Sequence, residues 1–187
     1  MSGNQNLEGL DWRALFEEMH PGFFEMPNIR SLPPDRVFEE MALDLRAESP
    51  DGEKLPAPEG VSFGCWTGDL SDLRRQVARV DETWPPFFGI KDRVYCAFAE
   101  GRLASFCILE DMGERLGLRI AGPGCVGTLP EFRRRGIGLK QVQNATEILR
   151  AEGYDISYSH FTGVAPWYAK LGYRTILRWN SKGILGE

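Results

Sequence analysis

The segment from residue 125 to residue 140 constrains this chain more than any other, and it reads CVGTLPEFRRRGIGLK. A short apolar run leads into an arginine triplet, after which Gly136 and Gly138 open an amphipathic helix. A glycine-rich helix start presents unpaired backbone N–H groups and the positive end of the helix dipole, with no Cβ to block close approach. This strand–loop–helix pattern predicts a site for a phosphate or pyrophosphate. The residues assigned to it are Arg133, Arg134, Arg135, Gly136, Ile137, Gly138, Leu139 and Lys140.

Composition narrows the classes of ligand and partner. The 187-residue chain carries a net charge of -5, so a local arginine cluster favours a small anionic ligand over nucleic acid. No apolar run reaches the roughly 18 residues that span a bilayer, and the N-terminus lacks the pattern of a signal peptide. The four cysteines occur singly in strand-like surroundings, which indicates reduced thiols rather than a metal site. We therefore predict a cytoplasmic protein without a metal, a membrane partner or a nucleic-acid partner.

Two other nucleotide motifs can be set aside. Residues 122–127 match G-x-G-x-x-G, but the next predicted helix begins about nine residues after the motif, so the dinucleotide fingerprint lacks its helix. A bulge, or a close approach of another backbone, explains these glycines better. A Walker-type phosphate loop is absent, because Gly138 is followed by Leu139 and Lys140.

The pattern of apolar residues predicts a helical N-terminal extension and linker over residues 1–60, followed by a second unit over 61–187. The extension contains helices at 11–20 and 35–45 and a Pro- and Gly-rich linker at 46–60. From residue 61 onward strands and helices intermingle, which predicts an α/β (α+β) fold with a mixed sheet of about six or seven strands and helices on both faces. The strands are predicted at 61–66, 94–99, 103–109, 116–120, 125–129, 155–159 and 175–179.

Two segments carry a resemblance to a known family. Residues 133–138, RRRGIG, are similar to the R/Q-x-x-G-x-G/A motif of the GNAT acyltransferase superfamily, and residues 167–173, WYAKLGY, resemble its second signature. The resemblance covers roughly residues 61–180. It implies that acetyl-CoA is the co-substrate, with its pyrophosphate at the residue 133–138 loop. It also implies that the strand backbone at Val126, Gly127 and Thr128 aligns the pantetheine arm, and that Tyr168 is the general acid.

The chain departs from the family pattern at two positions. Gly122 occupies the place where some members carry a catalytic glutamate, and Thr162 replaces an asparagine, so its cofactor contact is expected to be weaker. The remaining candidates for a general base are His160 and Glu110, with Asp111 beside Glu110. Glu131 is a weaker candidate because it lies in the phosphate-side loop, and a water chain without a single base is a further alternative.

The resulting expectation is an N-acyltransferase that moves an acetyl group from acetyl-CoA to a primary amine within a ternary complex. An acyl-CoA-binding sensor without turnover, and an interaction protein that has lost the ligand, are the alternatives. The sequence leaves open the acceptor amine, the acyl-chain length and the choice between a monomer and a homodimer. It also leaves open whether residues 1–60 form a lid, a dimer contact or packing, although the segment at 20–30 and the aromatic loop at 84–88 are placed near the acceptor.

Overall fold

The computed structural model describes residues 7–47 and 54–186. Residues 48–53, the middle of the predicted linker, lie outside the described residues, as do residues 1–6 and 187. The strands are β1 (Phe38–Asp44), β2 (Val61–Cys65), β3 (Val94–Ala99), β4 (Arg102–Arg115), β5 (Leu118–Thr128), β6 (Ile156–Thr162), β7 (Arg174–Asn180) and β8 (Gly183–Gly186). The α-helices are α1 (Trp12–Met19), α2 (Pro27–Arg30), α3 (Leu70–Ala78), α4 (Ile137–Ala151) and α5 (Ala165–Ala169).

All eight strands form one mixed sheet in the order β2-β3-β4-β5-β6-β1-β7-β8. Alternate residues of β4 show how both of its faces are covered. Phe106 and Ile108 pack with α3, whereas Cys107 and Leu109 pack with α4. Helix α1 covers the α3 face further along the sheet, and α5 lies on the α4 face. The predicted α/β fold is thus confirmed, with one strand more than the upper expectation.

Several elements form at local signals in the sequence. Asp11 caps α1 by accepting a hydrogen bond from Ala14 N, and Asp69 caps α3. The turn between β3 and β4 places Glu100 and Gly101 at φ of +55° and +70°, as a tight hairpin requires. These elements rest on local signals, namely caps, turns and helical periodicity, and such signals are legible in a sequence.

The predicted helix at 35–45 is wrong, because residues 38–44 form strand β1 between β6 and β7. Both faces of this inner strand are covered, so Phe38, Glu40, Met41 and Ala42 are all buried. A strand buried on both faces loses the alternation of apolar and polar residues that marks a surface strand. The spacing of its apolar residues also fits one face of a helix, which led to the helix prediction. The first 60 residues therefore supply a strand to the same sheet as the rest of the chain.

Two further differences concern the strands. The extended pieces predicted at 116–120 and 125–129 belong to one strand, β5, which continues through residues 122–124. The short strand β8, which pairs with β7 at the sheet edge, was not predicted.

Among the described residues, no helix has the length and apolar character needed to cross a membrane.

Candidate active site

Strands β5 and β6 separate in the middle of the sheet and leave a gap there. Their parallel pairing consists of Ile120 with Ile156 and Ala121 with Ser157. Beyond this point β5 stays paired with β4 up to Thr128, while its other edge has no strand partner in the described part of the chain. An unpaired strand edge offers backbone N–H and C=O groups to an extended ligand.

A glycine sits at the point where the two strands part. A Cβ on Gly122 would overlap the Tyr158 carbonyl oxygen on β6, so no residue with a side chain fits there without a backbone shift. The predicted close backbone approach is confirmed. The glutamate that some GNAT members carry at this position is therefore sterically excluded in this chain.

A bulge in β5 follows within a few residues. Gly124 pairs with Ile108 and Gly127 with Phe106, so two β5 residues, Cys125 and Val126, lie opposite one residue of β4. Cys125 has a φ of +46°, the left-handed value often found in such an irregularity. The bulge bends β5 beside the gap and changes the direction of its backbone groups there.

The N-terminus of α4 lies open beside this edge, as predicted. Gly136 adopts a left-handed φ of +76° at the N-cap, and no side chain caps the helix. The N–H groups of the first turn therefore lack partners within the helix. A Cβ on Gly138 would lie 2.7 Å from Thr128 Oγ1, so glycine lets the helix start approach β5 closely. Space is open around Gly136, where an anion could reach these N–H groups.

The three arginines diverge from one another. Arg133 Nε donates to Thr128 O at 3.0 Å, and Arg134 has a φ of +62°; both residues line the cleft. Arg135 turns toward Glu100, with 3.8 Å between the charged groups, and its guanidinium lies over the Phe132 ring. The strand–glycine–helix geometry thus places two arginines of the predicted three in the wall of the cleft.

The cleft has a volume of about 460 Å³. Most of the predicted cofactor residues line it, whereas Arg135, Lys140 and Thr162 do not. Lys140 Nζ instead donates to Gln143 Oε1, and Thr162 Oγ1 accepts from Val164 N. The predicted residues in the lining are Val126, Gly127, Thr128, Arg133, Arg134, Gly136, Ile137, Gly138, Leu139 and Tyr168. Sequence reasoning missed four lining residues, Val80, Phe132, Val164 and Trp167, although two of them adjoin the recognised motifs.

Tyr168 lines the cleft from helix α5. Its side chain is buried, and burial raises its pKa, while a hydrogen bond with the Ser159 side chain on β6 opposes the shift. The phenol therefore keeps its proton across the neutral range. It can donate a hydrogen bond to a group in the cleft but cannot act there as a base.

The candidate bases lie on the other side of the sheet, the side covered by α1 and α3. His160 follows Ser159 on β6, so the two side chains point to opposite faces. Its Nδ1 lies 2.9 Å from Glu40 Oε2 on β1, and its ring stacks on that of His20 with centroids 4.0 Å apart. Sequence reasoning missed Glu40 and His20 because strand pairing over long sequence distances brings them here.

Glu110 is the second candidate base, and it lies on the same face, near Gly124. The residue is accessible to solvent, yet nearby protein atoms desolvate its carboxyl enough to raise its pKa, an effect that His160 opposes electrostatically. Glu131 forms an ion pair with Arg79 at 2.9 Å, and Asp111 accepts from Gly113 N in a turn. His160 thus lies on β6, which borders the gap, and Glu110 lies on β4 opposite Gly122, whereas the other two carboxylates are engaged in local structure.

The ligand atoms of His20, Glu40 and His160 lie within 4.8 Å of one another, close enough for a metal site to be considered. The two rings are nearly parallel, however, with an interplanar angle of 16°. Ring nitrogens bind a metal in the plane of the ring, and two stacked rings cannot both point at one ion in tetrahedral geometry. The arrangement fits hydrogen bonding better than metal binding.

Comparisons with known proteins agree with this geometry. The family model described as Acetyltransferase (GNAT) family matches residues 64–173. Among solved structures, a GCN5-related glucosamine N-acetyltransferase region of a fungal multi-domain GH3 β-N-acetylglucosaminidase superposes with a TM-score of 0.67 at 20% identity, covering 94% of this chain and 23% of that one. A GCN5-related N-acetyltransferase from Sphaerobacter thermophilus gives 0.59 at 18% identity, covering 90% and 54%.

A tandem GNAT protein from the clavulanic acid biosynthesis pathway gives a TM-score of 0.57 at 20% identity, covering 80% of this chain and 52% of that one. This chain thus spans about a quarter to about half of the length of these three solved chains. No curated protein sequence matches it. The structural likeness establishes the fold, and the family model covers more than half of the chain. The chain belongs to the GNAT acetyltransferase family.

Proposed function

We propose that this protein transfers an acetyl group from acetyl-CoA to a primary amine by direct attack within a ternary complex. The observation that carries the proposal is the single cleft that joins the free edge of β5, the open N-terminus of α4 and the Tyr168 phenol. Proteins of this fold typically bind acetyl-CoA. The cleft supplies the three features that such a molecule requires: an anion site, an extended polar edge and a proton donor.

The anion site is assigned to the pyrophosphate. Backbone N–H groups of Ile137, Gly138 and Leu139 would donate to its oxygens, and Arg134 would add an ionic contact. Arg133 is already bonded to the Thr128 carbonyl and fixes the loop. The fit rests on the missing side-chain cap at Gly136, because an unsatisfied helix start is stabilised by an anionic partner.

The edge of β5 is assigned to the pantetheine arm and the thioester. Val126 and Thr128 would align the arm through backbone hydrogen bonds, and the N–H of Val126 or Gly127 would stabilise negative charge on the acyl oxygen. Acetyl-CoA supplies an acyl carbon activated as a thioester. Tyr168 would give its proton to the sulfur when the carbon–sulfur bond breaks, so that the thiol leaves in neutral form.

An acyl-CoA sensor without turnover is the second candidate. The observation that favours it is Gly122, where steric overlap with Tyr158 excludes the glutamate used as a base by some family members. The two candidates differ in one measurable respect, since a sensor binds acetyl-CoA without releasing coenzyme A in the presence of any amine.

The test combines binding and turnover. Acetyl-CoA is expected to raise the melting temperature, because a ligand that binds only the folded state stabilises it. Thiol release would then be followed over a panel containing glucosamine, an aminoglycoside, spermidine, an amino acid and a peptide with a free N-terminus. Release with one class supports the transferase, binding without release supports the sensor, and no binding at saturating acetyl-CoA contradicts both.

Two variants locate the site. Gly136→Asp would place a carboxylate at the N-terminus of α4 and is expected to abolish acetyl-CoA binding measured by calorimetry. Gly153→Asp is the matched control, since Gly153 follows the other end of α4 with a φ of +79°. Both variants impose backbone strain and add one charge, but only the first meets the anion. Equal affinities in the two variants would contradict the assignment.

A further inference from the structure

Glu40 is an acidic residue with no solvent exposure at all, and hydrogen-bonding groups converge on both of its carboxylate oxygens. Its Oε1 accepts from Trp179 Nε1 at 2.7 Å and from Phe161 N at 3.1 Å. Its Oε2 lies 2.9 Å from His160 Nδ1. An ionised carboxylate can only accept hydrogen bonds, and a buried one is stable only with such partners. These contacts are those expected of an ionised Glu40, and they fix the orientation of its carboxylate through both oxygens.

The same contacts fix the tautomer of His160. A carboxylate facing Nδ1 requires the proton to be on that nitrogen, so neutral His160 has its lone pair on Nε2. No hydrogen-bond partner is found at Nε2 among the described residues, and 28% of the side chain remains exposed. His160 thus has one nitrogen bound to a buried anion and the other available to take up a proton.

The position of this pair relative to Tyr168 is informative. Tyr168 is hydrogen-bonded to Ser159, and the next residue on the strand is His160. Successive side chains of a strand point to opposite faces, so the phenol and the imidazole flank the gap between β5 and β6 from its two sides. Direct amine attack on a thioester needs a proton acceptor for the amine and a proton donor for the sulfur, and the two sides of the gap supply one each.

We propose that His160 is the general base of this protein and that Glu40 is its positioning residue, an inference that rests on the proposed function. His160 Nε2 takes the proton that leaves the amine nitrogen as the new C–N bond forms to the acyl carbon. The C–S bond breaks, and the sulfur receives the proton of Tyr168. Exchange with solvent then returns the proton from His160 and restores the one lost by Tyr168, so that the products are the amide and free coenzyme A.

His20 and Glu110 are the other titratable groups that face His160. His20 stacks on its ring from the end of α1, and burial, followed by the charge of His160, lowers the pKa of His20 to about 4. His20 therefore stays neutral at neutral pH, and its ring packs against one face of the His160 ring. Glu110 interacts with His160 electrostatically from β4. A carboxyl is a weaker proton acceptor than an imidazole near neutral pH, which favours His160 as the base.

The tautomer of His160 gives a test that does not depend on turnover. The chain has only two histidines, so ¹⁵N-detected imidazole spectra contain two sets of signals, and His20→Phe identifies which belongs to His160. We expect the neutral ring of His160 to be the Nδ1–H tautomer, with no proton on Nε2. A dominant Nε2–H tautomer in the native protein would overturn the proposal.

Glu40→Gln should reverse this tautomer. The amide oxygen has to remain at the Oε1 position to accept from Trp179 and Phe161, which leaves the amide NH₂ facing His160. Nδ1 then becomes an acceptor, and the proton moves to Nε2, where it blocks base catalysis. With the amine found in the panel, we expect kcat to fall by roughly 10²- to 10⁴-fold, the usual contribution of a general base, with acetyl-CoA affinity unchanged.

Glu39→Gln is the matched control, because it removes the same charge from the adjacent residue of β1. Glu39 forms an ion pair with Arg178 and does not contact His160. In the Glu39→Gln variant, the His160 tautomer and kcat should equal those of the native protein. Full activity in Glu40→Gln, or a loss equal to that in Glu39→Gln, would overturn the proposal. It would also be overturned if Glu110→Gln abolished turnover while His160→Gln did not. Failure of acetyl-CoA to bind contradicts the proposed function instead, and the tautomer measurement separates the two.

Discussion

Tyr168 and Gly122 show how single residues define the chemistry available in the cleft. Gly122 cannot carry a side chain, because Tyr158 on the next strand occupies that space. Tyr168 is buried at the opposite side of the gap with its proton held by a raised pKa. The β5 strand therefore contributes backbone groups and no acid or base of its own at this point. The proposed mechanism therefore assigns proton transfer to residues of β6 and α5.

Replacing Tyr168 with Phe removes only the hydroxyl group, because the ring is held by its neighbours Trp167 and Tyr173. We expect kcat to fall by roughly 10²- to 10⁴-fold, since the departing sulfur loses its proton donor. Acetyl-CoA affinity, measured by calorimetry, should change little. Trp167→Phe is a useful comparison, because Trp167 lines the same cleft without a hydroxyl group. A native rate in Tyr168→Phe would exclude Tyr168 as the acid.

The site residues that could be predicted from sequence are those close together along the chain. Residues 126–128 and 133–139 belong to one strand–loop–helix unit whose glycines and arginines are legible as a phosphate site, although Arg135 turns away from the cleft. Glu40 and His20 were not predictable in this way, because they meet His160 across 120 and 140 residues. The one signal available in the sequence was Glu40 itself, a glutamate within a segment that carries apolar residues. The helix predicted over residues 35–45 gave that glutamate no role.

At the scale of elements, the start of α4 is held against β5 by a buried polar network. Ser105 Oγ lies 2.7 Å from Gly127 O, 3.0 Å from Thr128 Oγ1 and 2.5 Å from Gln141 Oε1. Gln141 Nε2 in turn donates to Tyr95 O at 2.5 Å. The network ties α4 to β3, β4 and β5 directly beneath the part of β5 assigned to the pantetheine arm. It fixes the distance between the anion site and the strand edge.

Gln141→Leu should destabilise the protein, because it leaves the Tyr95 carbonyl and the Ser105 hydroxyl buried without the amide. The expected loss in the free energy of unfolding is about 1–3 kcal/mol, the usual range for an unsatisfied buried polar group. Denaturant unfolding measures it. Gln76→Leu, on the outer helix α3, is the control and should change stability by less than about 0.5 kcal/mol. Equal effects of the two substitutions would show that the network adds no stability.

The elements differ in how well sequence predicts them, and the reason is physical. Helix α4 has periodicity and a glycine start of its own, and it begins at Ile137, between the two glycines predicted to open it. Strand β3 ends at a tight turn and forms at the predicted residues 94–99. Strand β1 has no such local signal, since it is buried on both faces and owes its conformation to β6 and β7. Strand β8 is only four residues long and forms against β7. Conformation imposed by distant partners leaves little trace in the local pattern.

At the scale of the whole molecule, the half-buried His20 links stability to pH. Its pKa of about 4 in the folded protein lies below the ordinary histidine value of 6.5. As pH falls from 6.5 toward 4, the unfolded chain binds a proton that the folded protein does not, and stability is lost in that window. Above pH 6.5 neither state binds this proton, so the contribution there is constant.

His20→Phe should therefore flatten the pH dependence. The phenylalanine ring can keep the stack on His160 and the contacts with Phe16 and Phe23, but it does not titrate. We expect the melting temperature of the native protein to decrease more steeply than that of His20→Phe between pH 6.5 and 4. Other groups, such as the carboxyl of Asp44, titrate alike in both proteins and cancel in the comparison. Parallel curves would contradict the assignment of a depressed pKa to His20.

The place of β1 in the sheet has a consequence for how the protein becomes active as it folds. Glu40 and His160 are separated by 120 residues, whereas the β3–β4 hairpin and the β5–α4 unit close over short loops. Contacts over long sequence distances carry the greatest loop-closure entropy and slow folding. We expect β1 to join the sheet late, after the β5–α4 unit with its anion site has formed. Tyr168 packs with Met41 of β1, so the proposed acid and the proposed base would both be placed only at that later step. A partly folded chain would then present the anion site before the groups that transfer protons.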